Sequence, residues 1–540
     1  MKKIIYFISF VAVFFLNSCN DFLTTYPKDA LSPSTTWKTE SDAQKFLIGC
    51  YNGWLWGEEF FYMDCASDIG YSNFPWDGFK VIGDGTMNAA NPGNSFYDFT
   101  TIRRCGTFLD NIENVTFTDE AVKKDMIAQV KIIRAHQYFK MNWLYGGVPI
   151  VSLYSSASEA QVPRNTEEEV KDFVFKEIDD AIPDINDAPK ASGYVAKGAA
   201  LALKMRSALY YGDYSRALDA AKAIVALGQY SLHDNFSDLF SYAGQNSKEI
   251  ILSVQHLLPS AAEWFVTIPN NNDGGWSSMV PTQNLIDMYE MANGLAKDEA
   301  GSGYDPVHPF KGRDPRMAMT VLVPGIAWEN NYNNILNTLD ISTPDGNKNG
   351  NYPLAADNAS KTGLTWAKYL LPFSQYGGVL DPTTTQYIVY RYAEVLLTLA
   401  EASNELNGPS DEVYNALDQI RHRAGMPNVD RAKYGTKDKL RELIHRERTI
   451  ELAGEGFRRA DILRWKDNSG KMLAETLMNG TLYRATGTIN YSESDEFLRA
   501  VISGTEKIED RKFSTYNRYL PIPQTNLDNN PQLKQNSGYE

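Results

Sequence analysis

The sequence predicts a mainly α-helical protein in which paired helices carry two loop-rich insertions. Three observations lead there. Apolar residues recur at helical spacing within about 120–145, 198–228 and 387–453. Glycine or Asn-Gly stands where each of these segments must end. The stretches at about 58–100 and 257–385 show few such periods and are rich in Asn, Gly, Pro and aromatic side chains.

The first helix is marked by Val122, Met126, Val130 and Ile133, three and four apart, and continues through Tyr138, Met141 and Tyr145. Gly146-Gly147 and then Pro149 close it. Residues 198–228 are the clearest pair. Ala199 to Tyr211 is a small-residue helix, Gly212-Asp213-Tyr214 turns the chain, and Ala217, Leu218, Ala221 and Ile224 line the returning helix. Small Ala at the crossing lets two helices approach closely. The Gly-Asp-Tyr-x-x-Ala-Leu core is the middle of a tetratricopeptide repeat. A second pair is expected over 387–424, with Tyr392, Leu396, Leu399, Ser403 and Leu406 on one face and Asn407-Gly408 as the stop. Ser410 caps the next helix, with Asp411 and Glu412 placed well against its dipole. A further helix spans about 436–453.

The N-terminus reads as an export signal. Lys2 and Lys3 precede a 13-residue apolar run, Ile4 to Leu16, too short to span a bilayer. The run ends in Leu16-Asn17-Ser18-Cys19, the pattern of a bacterial lipoprotein cleavage site. Residues 1–18 are therefore expected to be removed, leaving Cys19 acylated at the head of a tether over 19–36, where Pro27, Ser32, Pro33 and Ser34 interrupt any period. A single domain over 37–540 follows. The alternative is a plain secretory signal that happens to contain a cysteine. Several acyl chains, at ~0.8 kcal/mol per buried CH₂, would make the anchor essentially permanent.

Removing Lys2 and Lys3 moves the formal charge from −15 to −17. That balance argues against nucleic acid or anionic lipid as a partner and suits a neutral or weakly charged ligand. Cys50, Cys65 and Cys105 fit no zinc spacing. One pair bridged, or three buried thiols, both satisfy the sequence.

Several further segments share an order along the chain. They include Arg134-Ala135-x-x-Tyr138-Phe139 with Tyr145-Gly146-Gly147-Val148-Pro149, Lys197-Gly198-Ala199-Ala200, Asp314-Pro315-Arg316, and Tyr390-Arg391-Tyr392-Ala393-Glu394. Ile420-Arg421-x-Arg423-Ala424-Gly425, Arg446-Glu447-Arg448 with Glu451 and Gly456-Phe457-Arg458, and Leu520-Pro521-Ile522-Pro523 complete the set. The chain so read resembles the SusD/RagB family of outer-membrane nutrient-binding lipoproteins. The resemblance implies tetratricopeptide-like helix pairs packed against an irregular, loop-rich ligand-binding part. It implies a SusC-like TonB-dependent transporter as partner, over which the protein sits as a hinged lid. It implies an oligosaccharide or polysaccharide as cargo, with some members taking peptides, and a lipid anchor in the outer membrane facing the cell exterior. No enzymatic activity and no cofactor are expected.

Candidate ligand residues lie in the aromatic loops. A sugar ring stacks its apolar C–H face on an aromatic ring, while its hydroxyls need amide, carboxylate or backbone partners. Trp76 with Tyr71, Asn73 and Asp77 has that composition, as do Trp264, Trp276 and Trp328 among Asn-rich neighbours. Any one of these indoles serves equally well to pack a loop onto the scaffold; the expectation is that at least two of the four contact ligand. Glu447, Glu451 and Glu455, four apart, resemble a glycosidase acid/base pair. Their alternation with Arg446, Arg448, Arg458 and Arg459 favours salt-bridge ladders in a scaffold. Residues 345–350, D-G-N-K-N-G, begin a calcium loop, but Ala356 stands where its bidentate Glu is needed. No metal is expected. Neither H-E-x-x-H, G-x-S-x-G nor a P-loop occurs. Two other readings compete with a glycan-binding lid: a peptide-binding relative with the same transporter, and a secreted glycosidase.

Overall fold

The computed structural model describes residues 36–55, 57–257, 266–270, 274–329, 335, 336, 338, 339, 358–376 and 383–540. Eleven of its helices frame the architecture: α1 (Glu40–Tyr51), α2 (Gly57–Cys65), α3 (Thr100–Asn111), α4 (Glu120–Tyr145), α5 (Glu167–Ala181), α6 (Lys197–Tyr210), α7 (Tyr214–Ala226), α8 (Tyr392–Asn407), α9 (Asp411–Arg423), α10 (Lys437–Leu452) and α11 (Arg458–Arg464). Local chemistry sets their ends. Asp119 caps α4 by accepting from the Ala121 amide, and Gly146 closes it at φ 67°. Thr166 and Glu169 form a reciprocal box at the head of α5. Ser410 and Thr436 cap α9 and α10.

Pairing follows chain order. Helix α4 packs on α5, α6 on α7 and α8 on α9, while α7 and α10 both pack on α8. The pairs therefore stack as a tetratricopeptide-like array, as expected from Gly-Asp-Tyr. Gly212 turns at φ 75° and Asp213 accepts from the Arg216 amide to start α7. Ala199, Ala200, Ala202, Ala217, Ala220 and Ala221 are buried where α6 and α7 cross.

Two expectations need correction. Residues 387–391 are not helical but form strand β4 (Tyr387–Arg391), antiparallel to β2 (Ile250–Val254). Tyr-Ile-Val-Tyr is a β-branched and aromatic run, and every residue of β4 is buried, so tertiary packing decides its state. The insertion at 58–100 is also less irregular than expected, because α2 occupies its first part. Helices α1, α3 and α5 went unread, and so did a hairpin. Strands β5 (Gly480–Ile489) and β6 (Ala500–Arg511) make a long antiparallel hairpin. Gly487 is required there, since a Cβ would lie 2.0 Å from the Val501 carbonyl oxygen.

Cys50, Cys65 and Cys105 are buried, unbridged thiols. No helix among the described residues is long and apolar enough to cross a membrane. Cys19, all but the last residue of the tether expected over 19–36, and the half calcium loop at 345–350 lie outside the described residues.

Candidate ligand-binding cleft

The site is built on a short ribbon. After α2 the chain enters β1 (Gly70–Ser72), which pairs antiparallel with β3 (Met279–Pro281) through Tyr71 opposite Val280. That register lays residues 73–79 beside 266–278. Asn73 fastens the two. Its amide N–H donates to the Ser278 carbonyl at 2.8 Å, and its side-chain amide donates to the carbonyls of Ser277 and Ala359. Its Oδ1 accepts from the Lys361 amide. The Asn73 side chain thus ties three segments together.

Each ribbon arm carries one exposed indole. Trp76 sits in the 3₁₀ turn Pro75–Asp77, 77% exposed, and stacks on Phe74 with centroids 4.7 Å apart. Trp276 is 48% exposed, and its amide donates to the Val266 carbonyl. The neighbouring backbone folds back tightly: Ser278 donates to Thr267 and Ser277 to Pro269. Ser277 adopts φ 44°, a strained value for a non-glycine residue. Gly78, at φ 72°, lets residues 93–94 approach, since a Cβ would lie 2.6 Å from the Asn94 amide nitrogen.

Trp76 and Trp276 line one cleft of about 480 Å³. Phe74, Phe79 and Tyr62 give it further aromatic surface, and Asp77, Asn94, Thr267, Ser278 and Asn358 add polar groups. Tyr62 stacks on Phe79 at 5.1 Å. Burial, helped by the Asp77 carboxylate and opposed by hydrogen bonds with Ser278 and Thr267, pushes the Tyr62 phenol well above its ordinary range. It stays neutral at physiological pH. Asp77, which accepts from the Ser72 hydroxyl at 3.2 Å, is then the one charged group among the described lining residues. Aromatic faces beside neutral polar groups suit stacking and hydrogen bonding to a polyhydroxylated ligand.

Other candidates fall elsewhere. Tyr71 is buried against Val280 and Leu482, with Lys80 Nζ 4.3 Å above its ring. Trp328 is half-buried against the main core. Trp264 lies outside the described residues. Tyr62, Phe79, Asn94, Thr267, Ser278 and Asn358 were not foreseen. The Asn-Pro-Gly-Asn turn at 91–94 was the one local signal for any of them.

The glutamates at 447, 451 and 455 belong to a buried ion network, although Glu455 also lines a small cavity of about 110 Å³ with His136, Arg206 and Arg459. Glu447 and Glu451 are wholly buried, and Glu455, just past the helix, is 3% exposed. Their partners come mainly from other segments, not from ladders along the helix. Arg316 reaches Glu447 at 2.9 Å and Glu451 at 3.3 Å. Arg391 reaches Glu451 at 2.8 Å and Glu455 at 2.7 Å. Lys368 pairs with Glu455, Arg421 with Glu447, and Arg423 with Glu451. Burial alone would raise the Glu451 carboxyl, but Arg423, Arg391 and Arg316 outweigh it and hold the group far below the usual range. A carboxylate so held, without access to solvent, is poorly placed to shuttle a proton.

The SusD family model matches residues 236–539, more than half of the chain. The chain belongs to the SusD family. A SusD-like protein of Formosa agariphila is 25% identical over 86% of this chain and 92% of its own. A crystal structure of a SusD-like carbohydrate-binding protein from Bacteroides fragilis, 26% identical, superposes with a TM-score of 0.80 over 93% of this chain and all of that one. A laminarin-binding SusD-like protein, 20% identical, shares the fold at a TM-score of 0.68, over 93% of this chain and all of that one. Within this SusD-family chain, the buried ion network gathers segments far apart in sequence: Asp314-Pro315-Arg316, Arg391, Arg421-x-Arg423 and Glu447 with Glu451.

Proposed function

We propose that this SusD-family protein is a non-enzymatic, cell-surface glycan-binding lipoprotein. It captures an oligosaccharide or polysaccharide in the Trp76–Trp276 cleft and delivers it to a SusC-like TonB-dependent transporter. The observation that carries this reading is the convergence of two exposed indoles on one cleft whose described lining holds a single charge. The carbohydrate binding of the Bacteroides fragilis relative supports it. The apolar run before Cys19 supports an acyl anchor on that residue, and the resemblance to outer-membrane nutrient-binding lipoproteins supports its location. The glutamates of α10 are ion-paired scaffold, which supports the absence of catalysis.

Stacking contributes about 0.5–1.5 kcal/mol per contact beyond burial, so affinity for short oligomers falls between micromolar and millimolar. Calorimetric titration of the detergent-solubilised lipoprotein with a glycan panel, with reducing ends assayed in the same samples, tests the reading. Saturable heat without new reducing ends supports it. New reducing ends, or silence across the panel, overturns it. Co-purification from native membranes tests the partner: a large β-barrel of the TonB-dependent class is expected.

A further inference from the structure

A second, larger groove of about 720 Å³ lies between residues 97–103, 149–161 and the C-terminal stretch 526–533. We infer that this groove is a second saccharide-binding site, distinct from the Trp76–Trp276 cleft. The inference rests on the proposed glycan cargo and adds to it a place on the surface.

Its chemistry repeats that of the first cleft with different residues. Phe99, Leu153 and Tyr154 supply apolar surface, and Leu153 is 41% exposed. The side chains of Ser152, Asn526 and Asn529 line the groove with no protein hydrogen bond among the described residues. Asp98 and Arg103 give the lining one charge of each sign. Asp98 is already engaged, accepting from the Thr100 amide and hydroxyl. Those hydrogen bonds leave the Asp98 charge in place, so it balances Arg103 and the lining suits neutral hydroxyls better than phosphate or carboxylate.

Tyr97 points independently to a ligand. It lines the groove, is 6% exposed, and its hydroxyl has no hydrogen-bond partner among the described residues. A buried hydroxyl left unmet is costly, and such groups recur where a bound molecule completes them. The ring is fixed edge-on by Phe99 at 5.4 Å and by Tyr145 at 5.0 Å. Burial pushes its phenol up to about 12, so the proton is retained for donation. The walls are also tied. Gln161 donates to the Asn529 carbonyl and Asn530 to the Val162 carbonyl, both at 2.9 Å. The Val151 amide donates to the Tyr138 hydroxyl. A groove already organised loses little on binding.

The two sites adjoin along the chain. Asn94 lines the first and Tyr97 the second. Three residues of extended backbone span at most roughly 11 Å. A long glycan engaging both gains by effective concentration what either site lacks alone.

The test uses the detergent-solubilised full chain and hexasaccharides of laminarin, dextran, mannan, arabinoxylan and galactan. With the hexasaccharide that binds, two sites per chain are expected. The double variant Trp76→Ala/Trp276→Ala keeps one of them. Adding Tyr97→Phe to that variant weakens the remaining site roughly fivefold, the loss of one hydrogen bond. Hydrogen exchange on the unmutated chain gives an independent reading: the sugar should slow exchange over 150–161 and 526–533. One site per chain, lost in the double variant and with no protection over those segments, overturns the second site and leaves the first intact. No binding of any panel member by the native chain overturns the glycan reading itself, and the second site with it.

Discussion

Trp76 and Trp276 line one cleft although separate loops supply them, and the β1–β3 ribbon is what brings those loops together. Their exposure decides the first prediction. At 77% and 48% exposed, neither indole is committed to the core. Trp76→Ala and Trp276→Ala should each weaken glycan binding by roughly 2- to 10-fold, the value of one stacking contact. The unfolding free energy should stay within about 0.5 kcal/mol of native, as for most surface changes. Calorimetry and a urea melt on the same preparations check both. Unchanged affinity in both variants places the site elsewhere.

Asn73 should behave in the opposite way. Its side chain does not line the described cleft but joins Ser277, Ala359 and Lys361. Asn73→Ala leaves two backbone carbonyls without that donor, at a cost of about 1–3 kcal/mol. The melt should shift, and affinity should fall because the loop carrying Trp276 loses its tie. Asn73→Asp loses both donors and should show the same double defect. A variant that loses affinity at native stability would instead make Asn73 a ligand contact.

Asp77 sets the sign of the ligand. As the one charge in the described lining, it repels uronate or sulfate groups within a few ångströms by about 1 kcal/mol at high dielectric. Neutral glycans should therefore bind in preference to alginate or polygalacturonate. Asp77→Asn should improve the anionic ligands several-fold, most clearly at low salt. If the native chain takes polygalacturonate more tightly than any neutral glycan, this account of specificity fails.

The scaffold was legible because its signals are local. Gly146, Gly212 and Ser410 each mark a helix end by their own conformational or hydrogen-bonding chemistry. Trp76 and Trp276 were legible as members of aromatic loops rich in Asn and Gly. What lay hidden depends on distant partners. Tyr71 has the same sequence surroundings as its neighbours, but β-pairing turns it inward, under Lys80. Asn73 is indistinguishable from a ligand residue until its acceptors at 277 and 359 are known. The partners of Glu447 and Glu451 could not be read from helical spacing, because Arg316, Arg391 and Arg421 belong to other segments.

Acid should dismantle the ion network. Glu401 feels burial, which alone would raise it, but Arg464 and Arg448 bring it down to about 2 from 4.5. Its folded value is depressed, so its contribution is complete above 4.5 and is lost as pH falls from 4.5 towards 2. A tenfold change in proton affinity corresponds to about 1.4 kcal/mol, giving about 3 kcal/mol from this group. Glu447 and Glu455 are also lowered, against the effect of burial, by Arg316 and Arg391 respectively. Asp64 runs the other way: burial raises it to about 7 from 3.8, so its contribution is present below 3.8 and lost as pH rises through 7. The urea midpoint should thus drop steeply below pH 4.5. A midpoint unchanged between pH 5 and pH 3 would show that these carboxylates are not held as described.

Glu451 separates scaffold from chemistry. It contacts Arg391 at 2.8 Å and Arg316 at 3.3 Å, and pairs with Arg423. Glu451→Gln keeps the shape and removes the charge, leaving buried guanidinium groups short of a counter-ion. Breaking a buried pair in this way costs about 3–5 kcal/mol, a large fraction of ordinary domain stability. The variant should melt far earlier than native. Under conditions where it remains folded, it should bind glycan with native affinity, because the network lies apart from the described lining of the cleft. A glycosidase reading demands the reverse: new reducing ends from the native chain, abolished by Glu451→Gln at little cost in stability. Measuring the melt, the affinity and the reducing ends on one pair of preparations decides between the two.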